Sequence, residues 1–270
     1  MRILFIAVFI FFSFFISPSY AVYNPASGED DIVLIDDTQE VKMGNSLAEN
    51  VEKQFGLLED VNLQLRVNSI GQKLVSVCDR QNIAYSFRVL AGEELKEDQR
   101  HNAFALPGGY VYIFREMAQD TESDDELASV LAHEIGHIVA RHSVKKLQSS
   151  IGLGGLSLLG SIAATDSRSK KKSSVAIAQL MMEYSREAEF EADKLSIKYL
   201  KAAGFNPKAA SDFMNRMLEK QLSGKINYYH YFRTHPYTTE RLAAINKEIS
   251  GKVAFDDYIN TPLGRGESYW

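Results

Sequence analysis

The chain has a single cysteine, Cys78, among 270 residues. An internal disulfide is therefore excluded, as is any multi-cysteine metal site, and a metal held here would be held by nitrogen and oxygen. Basic residues are not in excess: 30 Lys and Arg stand against 35 Asp and Glu, a formal net charge of −5. No domain-wide basic patch offsets this balance, so phosphate-dominated binding is disfavoured and no nucleic-acid partner is expected. Proline is scarce, and none occurs between Pro107 and Pro207, which leaves room for long helices. An apolar run of the ~20 residues needed to span a bilayer is missing too. What remains is ordinary, with 45% hydrophobic and 24% charged residues. That is the balance of a globular protein able to bury a core, not of a disordered or fibrous one.

The N-terminus changes the compartment. Met1-Arg2 is a short basic start, and Ile3 to Ile16 is apolar except for Ser13, the pattern of a signal-peptide core. Ser17-Pro18-Ser19-Tyr20-Ala21 adds a helix breaker and small residues at the positions signal peptidase accepts, so cleavage is expected after Ala21. The other reading of this segment is an uncleaved anchor. Either way the body is exported to a periplasm, membrane-associated if the anchor is retained and with no integral membrane domain after cleavage.

Along the body, apolar residues recur at helical spacing from 43 to 78, weakened at Gly56 and Gly71. Ile83 to Leu90 and Tyr110 to Phe114 alternate and are rich in β-formers around the turn Leu106-Pro107-Gly108-Gly109. They read as paired strands of a small antiparallel sheet. The longest helical patterns run from about 124 to 148 and from 175 to 203, with further helices starting near Pro207 and Thr238. Between the two long patterns, 151–174 carries several glycines and a basic end. It reads either as a surface loop or as a mobile flap over a site. The predicted organisation is a signal peptide over 1–21, an extension over 22–42, one catalytic domain over 43–259 and a tail over 260–270.

His133-Glu134-Ile135-Gly136-His137 lies inside a predicted helix, where residues four apart share a face and can both reach one metal ion. This geometry suits Zn²⁺. Glu134 sits about 100° around the helix from His133 and about 60° from His137, close enough to take a proton from a water held beside them. A catalytic zinc usually takes a third protein ligand. Ser185 to Asp193 offers one, because Glu189 and Asp193 share a helix face while Glu187 and Glu191 point about 200° away from Glu189. The economical assignment is Glu189 as third ligand, with Asp193 accepting from the outer ring nitrogen of one ligating histidine. His142, five residues past His137, falls roughly opposite the ligand face and reads as structural or surface. His101 and His230 have no partner spacing, whereas His235 opens a loop-to-helix entry ending at Arg241.

With these motifs the sequence resembles the HtpX-like and CAAX prenyl protease-type zinc metallopeptidases, closest in layout to their soluble periplasmic members. The resemblance covers most of the chain after the leader. It rests on Phe55-Gly56 with Asp60 and Gly71, Asn102 through Gly109, His133 to His137, Ser185-Arg186 through Glu189 to Asp193, and Thr234-His235-Pro236 with Arg241. It implies one Zn²⁺ per chain on His133, His137 and Glu189, with Glu134 as general base and Asp193 supporting a histidine. His235 and Arg241 would line the site, either stabilising charge on the attacked carbonyl oxygen or, in a resting form, letting His235 approach the metal and block it. The resemblance further implies an edge strand at Asn102, Ala103, Phe104 and Ala105 that pairs with an extended peptide. Two departures stand out: the membrane helices of the multi-spanning members are missing, and the chain ends about 30 residues after Arg241.

The expected protein is thus an α+β, mainly helical zincin-like metalloendopeptidase with two zinc-ligand helices. Its expected substrates are unfolded or misassembled envelope proteins, with envelope assembly machinery as a possible partner. The alternatives are a latent protease that mainly binds clients in the manner of a chaperone, and a zinc hydrolase of a non-peptide substrate.

Overall fold

The computed structural model describes residues 19–151, 177 and 180–251. The hydrophobic leader, the 151–174 segment beyond its first residue, and the C-terminal tail lie outside the described residues.

The chain begins with a hairpin, β1 (Tyr20–Asn24) paired antiparallel with β2 (Glu29–Val33). Tyr20 and Ala21 form its first two register pairs, with Val33 and Ile32. Helix α1 (Asp37–Phe55) follows, started by a capping box in which Asp36 accepts from the Gln39 backbone and Gln39 answers at the cap. It stops at Gly56, whose φ of 67° ends the helical path. After Asp60 caps the next start, α2 runs over Val61–Val75. The continuous pattern expected over 43 to 78 is therefore two helices, and α1 begins before residue 43.

The second sheet holds β3 (Ser86–Leu90), β4 (Ala103–Leu106) and β5 (Tyr110–Phe114), in the order β3-β5-β4. β4 pairs antiparallel with β5 through the turn at Pro107-Gly108-Gly109, where Gly108 and Gly109 take φ of 78° and 99°. β3 pairs with β5 in parallel, so the small sheet is antiparallel on its β4 side and mixed as a whole. Between β3 and β4 lies the single turn α3 (Glu97–Arg100). Strand alternation splits the core in two. Ala103, Ala105, Val111 and Ile113 face one cluster, while Phe104, Leu106, Tyr112 and Phe114 face another built on Met43, Leu47, Val51 and Phe55 of α1.

After α4 (Arg115–Asp120), the buried helix α5 (Asp124–Val139) packs on the Ala103 and Ala105 side of the sheet. The helical pattern to residue 148 is interrupted, because Arg141 takes a φ of 53° and α6 (His142–Ile151) sets off anew. Then come α7 (Arg186–Ala202), α8 (Lys208–Leu222), the short α9 (Tyr229–Thr234) and α10 (Thr239–Ser250). Helices near Pro207 and Thr238 were expected, whereas α9 and the N-terminal hairpin were not. Among the described residues no helix is long and apolar enough to cross a membrane.

Candidate metal centre

Helices α5 and α7 meet at Gly136. A Cβ there would lie 2.9 Å from the Ala192 carbonyl oxygen and 3.0 Å from its Cα, so only glycine admits this approach. It brings the acidic face of α7 against His133 and His137. Ser123 and Ser185 cap the two helices by accepting from the backbone of Glu126 and Ala188.

His133 Nε2 and His137 Nε2 lie 3.1 Å apart. The Glu189 carboxylate sits 3.4 Å from each of them, through Oε2 and Oε1 respectively. His235, which follows α9 and precedes Pro236, inserts its ring as a fourth member, with Nδ1 3.2 Å from His133 Nε2 and 3.1 Å from Glu189 Oε1. One ligand atom from each of the four lies within 4.8 Å of those of the others, and all four residues are buried.

His133, Glu189 and His137 are each held from behind. Asp193 Oδ1 is 3.0 Å from His133 Nδ1, which identifies the histidine that Asp193 orients. Arg241 grips both Asp193 oxygens at 2.7 and 2.8 Å, and its Nη1 reaches the Pro236 carbonyl at 2.8 Å and Glu189 Oε2 at 2.6 Å. On the other flank, His137 Nδ1 is 2.8 Å from His142 Nδ1, whose Nε2 is 2.9 Å from Glu191 Oε2. The ring of Tyr184 stacks on His137 at 4.0 Å, and its hydroxyl is 3.0 Å from Ser143 Oγ.

His142 is therefore neither a surface residue nor opposite the ligands. The rotation of 100° per residue that put it there does not carry across the end of α5. Glu191 does point away from Glu189, as expected, and meets α6 on that side. Among the residues not singled out from the sequence, Glu191, Tyr184 and Ser143 belong to the site. The Arg141-His142 break after the second histidine and the outward face of α7 were the sequence features that could have indicated them.

The donor set fits a metal ion. Two imidazole nitrogens and a carboxylate, all acceptors when the rings are neutral, converge in a buried space and call for a cation between them. Without a metal, a proton on His133 takes up that demand for positive charge. Burial opposes charging of His133, yet its hydrogen bonds to Asp193 and Glu189 outweigh that and push its pKa up to about 10. Burial alone would raise Glu189, but the charges of Arg241 and His235 hold it well below the usual carboxylate range. Both carboxylate oxygens of Glu134 are buried with no short hydrogen bond, and their neighbours are the Ala105 backbone and His235 Nε2 at 3.5 Å. Burial raises the Glu134 pKa against the opposing charges of His235 and His133.

Asn102, Ala103, Phe104 and Ala105 are all buried. Asn102 pairs with β5, its carbonyl accepting from Phe114 at 3.0 Å, so by alternation Ala103 and Ala105 turn their backbone groups to the open edge of the sheet. Several of those groups are already engaged, the Ala105 N–H facing Glu134. The Ala103 N–H donates to Asn102 Oδ1 at 2.9 Å, and the Ala105 carbonyl accepts from Ser143 at 3.2 Å.

A model of peptidase family M48 matches residues 62–249. Over 214 residues the chain is 28% identical to the beta-barrel assembly-enhancing protease of Escherichia coli strain K12, covering 76% of this chain and 42% of that protein. The mitochondrial metalloendopeptidase OMA1 of Schizosaccharomyces pombe is 29% identical over 185 residues, 68% of this chain and 52% of its own length. That of Saccharomyces cerevisiae is 34% identical over 150 residues, 54% and 43%. The chain thus spans about half or less of the length of these relatives.

Proposed function

This chain belongs to peptidase family M48, and from that premise we propose that it is a zinc-dependent endopeptidase acting on unfolded or misassembled proteins of the cell envelope. The observation that carries the reading is the buried convergence of His133, His137 and Glu189 with the buried carboxylate of Glu134, which makes no short hydrogen bond, beside it. Zinc, when bound, would supply Lewis acidity, drawing the pKa of water toward neutrality and polarising a carbonyl.

The remaining chemistry falls to the chain's own residues. Glu134 takes a proton from the attacking water and passes it to the leaving amine, a task suited to a carboxyl whose burial raises its pKa. Asp193 fixes the His133 ring, and Arg241 fixes Asp193 and Glu189. An extended substrate pairs with the Ala103 and Ala105 edge of β4, displacing the side chains of Asn102 and Ser143 that occupy it. The leader-like pattern of the N-terminal sequence, and the likeness to a protease whose name ties it to β-barrel assembly, support a periplasmic place and the envelope assembly machinery as a partner.

A second reading is a latent protease whose main role is to hold clients. It is favoured by His235, which is only 1% exposed and fills the ligand cluster. Digestion of casein by wild-type protein beside Glu134→Gln, with zinc content measured on both, separates the two. Cleavage by wild type alone, with about one zinc in each protein, supports the peptidase. Zinc in both with cleavage in neither favours client binding, and no zinc in either overturns the ligand set.

A further inference from the structure

We infer that a relay of side chains, from His137 through His142 and Glu191 to Asn24 of the N-terminal hairpin, sets the tautomer of His137 and so aims its Nε2 lone pair into the metal centre. The inference rests on the reading of His137 as a ligand. It concerns residues that the ligand motif does not contain, and one end of it lies outside the family match over 62–249.

The argument runs inward from the carboxylate. An ionised Glu191 only accepts, so the His142 Nε2 that lies 2.9 Å from its Oε2 carries the hydrogen. A neutral ring then has its lone pair on Nδ1. That atom is 2.8 Å from His137 Nδ1, which must donate to it. The one hydrogen of His137 is thereby placed on Nδ1, and Nε2 is left bare toward His133 and Glu189. The reverse arrangement, with hydrogen on His142 Nδ1, would put the His137 hydrogen on Nε2 and point it into the cluster.

Glu191 is itself held. Its Oε2 accepts from Asn24 Nδ2 at 2.7 Å. The Asn24 amide is oriented by the hairpin turn, because its Oδ1 accepts from the Ala26 backbone at 3.0 Å and Nδ2 also reaches Asp31 at 3.0 Å. The hairpin is fastened to the helices that carry the relay, through Lys145 to Asp31 and Lys194 to the Ala26 carbonyl, both at 2.7 Å. One ligand is thus oriented by a neighbour on α7, Asp193, and the other by a chain drawn from three separate segments. An outer hydrogen-bond partner of a ligating histidine is typically worth 10–100-fold in metal affinity.

Two measurements on metal-free protein test this. Long-range ¹H–¹⁵N correlation of the histidine rings reads the tautomers in the wild type with no substitution at all, and should show His137 with its hydrogen on Nδ1 and His142 with its hydrogen on Nε2. Competition for zinc against a chromophoric chelator then compares variants of matched thermal stability. His142→Leu should lose about 10–100-fold. His142→Asn should recover most of that loss, because its side-chain oxygen can stand where Nδ1 stands. Asn24→Leu should show a smaller loss than His142→Leu. A wild-type His137 ring with hydrogen on Nε2 overturns the relay, as does His142→Leu with unchanged affinity. Wild-type protein that takes up no zinc overturns the metal centre instead, so the two readings fail separately.

Discussion

His235 Nδ1 lies 3.1 Å from Glu189 Oε1, inside the ligand cluster, while its Nε2 lies 3.5 Å from Glu134 Oε1. One ring thus touches both the proposed third ligand and the proposed base. A side chain in that position excludes substrate from both, and it is carried on a short segment between α9 and Pro236, not on a long helix. Replacing it should open the site. His235→Ala is expected to raise basal cleavage of casein by roughly tenfold, equivalent to about 1.4 kcal/mol of lost bias toward the closed form. If His235 chiefly stabilised charge on the attacked oxygen, the same change would lower the rate, and the kinetic comparison decides between the two.

Arg241 was expected to line the site, with a part in stabilising the attacked oxygen. Each of its three nitrogens is engaged, by Asp193, Glu189 or the Pro236 carbonyl. Removing the guanidinium would take the one permanent cation from two buried carboxylates and leave them to the histidines alone, a change of the kind that commonly costs about 3–5 kcal/mol. Arg241→Met should therefore lower the melting temperature of metal-free protein sharply, and added zinc should recover part of the loss by supplying positive charge to Glu189. A variant that melts like wild type while losing turnover would return Arg241 to a role on substrate alone.

Much of this centre was legible because its logic is local. The helical spacing of His133 and His137, and of Glu189 and Asp193, is a statement about one helix at a time. What spacing does not carry is the path of the chain between helices. Arg141, at positive φ, turns α6 so that His142 returns to His137, and no periodicity extends through such a break. The β1–β2 hairpin was missed for another reason. Glu29, Asp30 and Asp31 make β2 too acidic to read as a strand, and the hairpin is tied to the rest of the protein by long-range side chains such as Gln148, which accepts from the Leu34 backbone just past β2 at 2.7 Å. The parallel pairing of β3 with β5 was likewise hidden, since strand patterns specify faces and not neighbours.

Gly136 offers a test of how finely the two ligand helices are set. In an isolated helix Gly→Ala is favourable by about 1 kcal/mol. Here the added methyl would meet Ala192 backbone at 2.9 and 3.0 Å, where the neighbour cannot rotate away. Overpacking of this kind costs ~1–3 kcal/mol, so Gly136→Ala should be net destabilising. It should also weaken zinc binding by more than its stability loss would explain, because the strain pushes Glu189 away from His133 and His137. Thermal melts combined with chelator competition check both parts, and a stabilised variant of unchanged affinity would contradict the packing argument.

The pH dependence of stability can be predicted away from the metal centre, at Glu126. This carboxylate is held by a two-pronged pair with the Arg216 guanidinium and accepts from the Glu122 backbone at 2.6 Å. Burial acts to raise its pKa, but Arg216 and the backbone bond outweigh burial and leave it below the usual value. A carboxyl depressed in the folded state contributes stability that is complete above its unfolded pKa of about 4.3, and that is lost as the pH falls through the folded value. Arg216→Met removes the chief influence that lowers the Glu126 pKa and leaves the Glu122 backbone bond and the charge of Lys220 against burial. The variant should be less stable than wild type by about 2 kcal/mol at pH 7, between the values for exposed and fully buried pairs. The gap should shrink as the pH drops below about 4.3, because the wild type then loses the same contribution by protonation. Denaturant melts of both proteins from pH 7 to pH 3 measure this directly. A gap that stays constant across that range would show that Arg216 stabilises α5 by packing and not through the charge of Glu126.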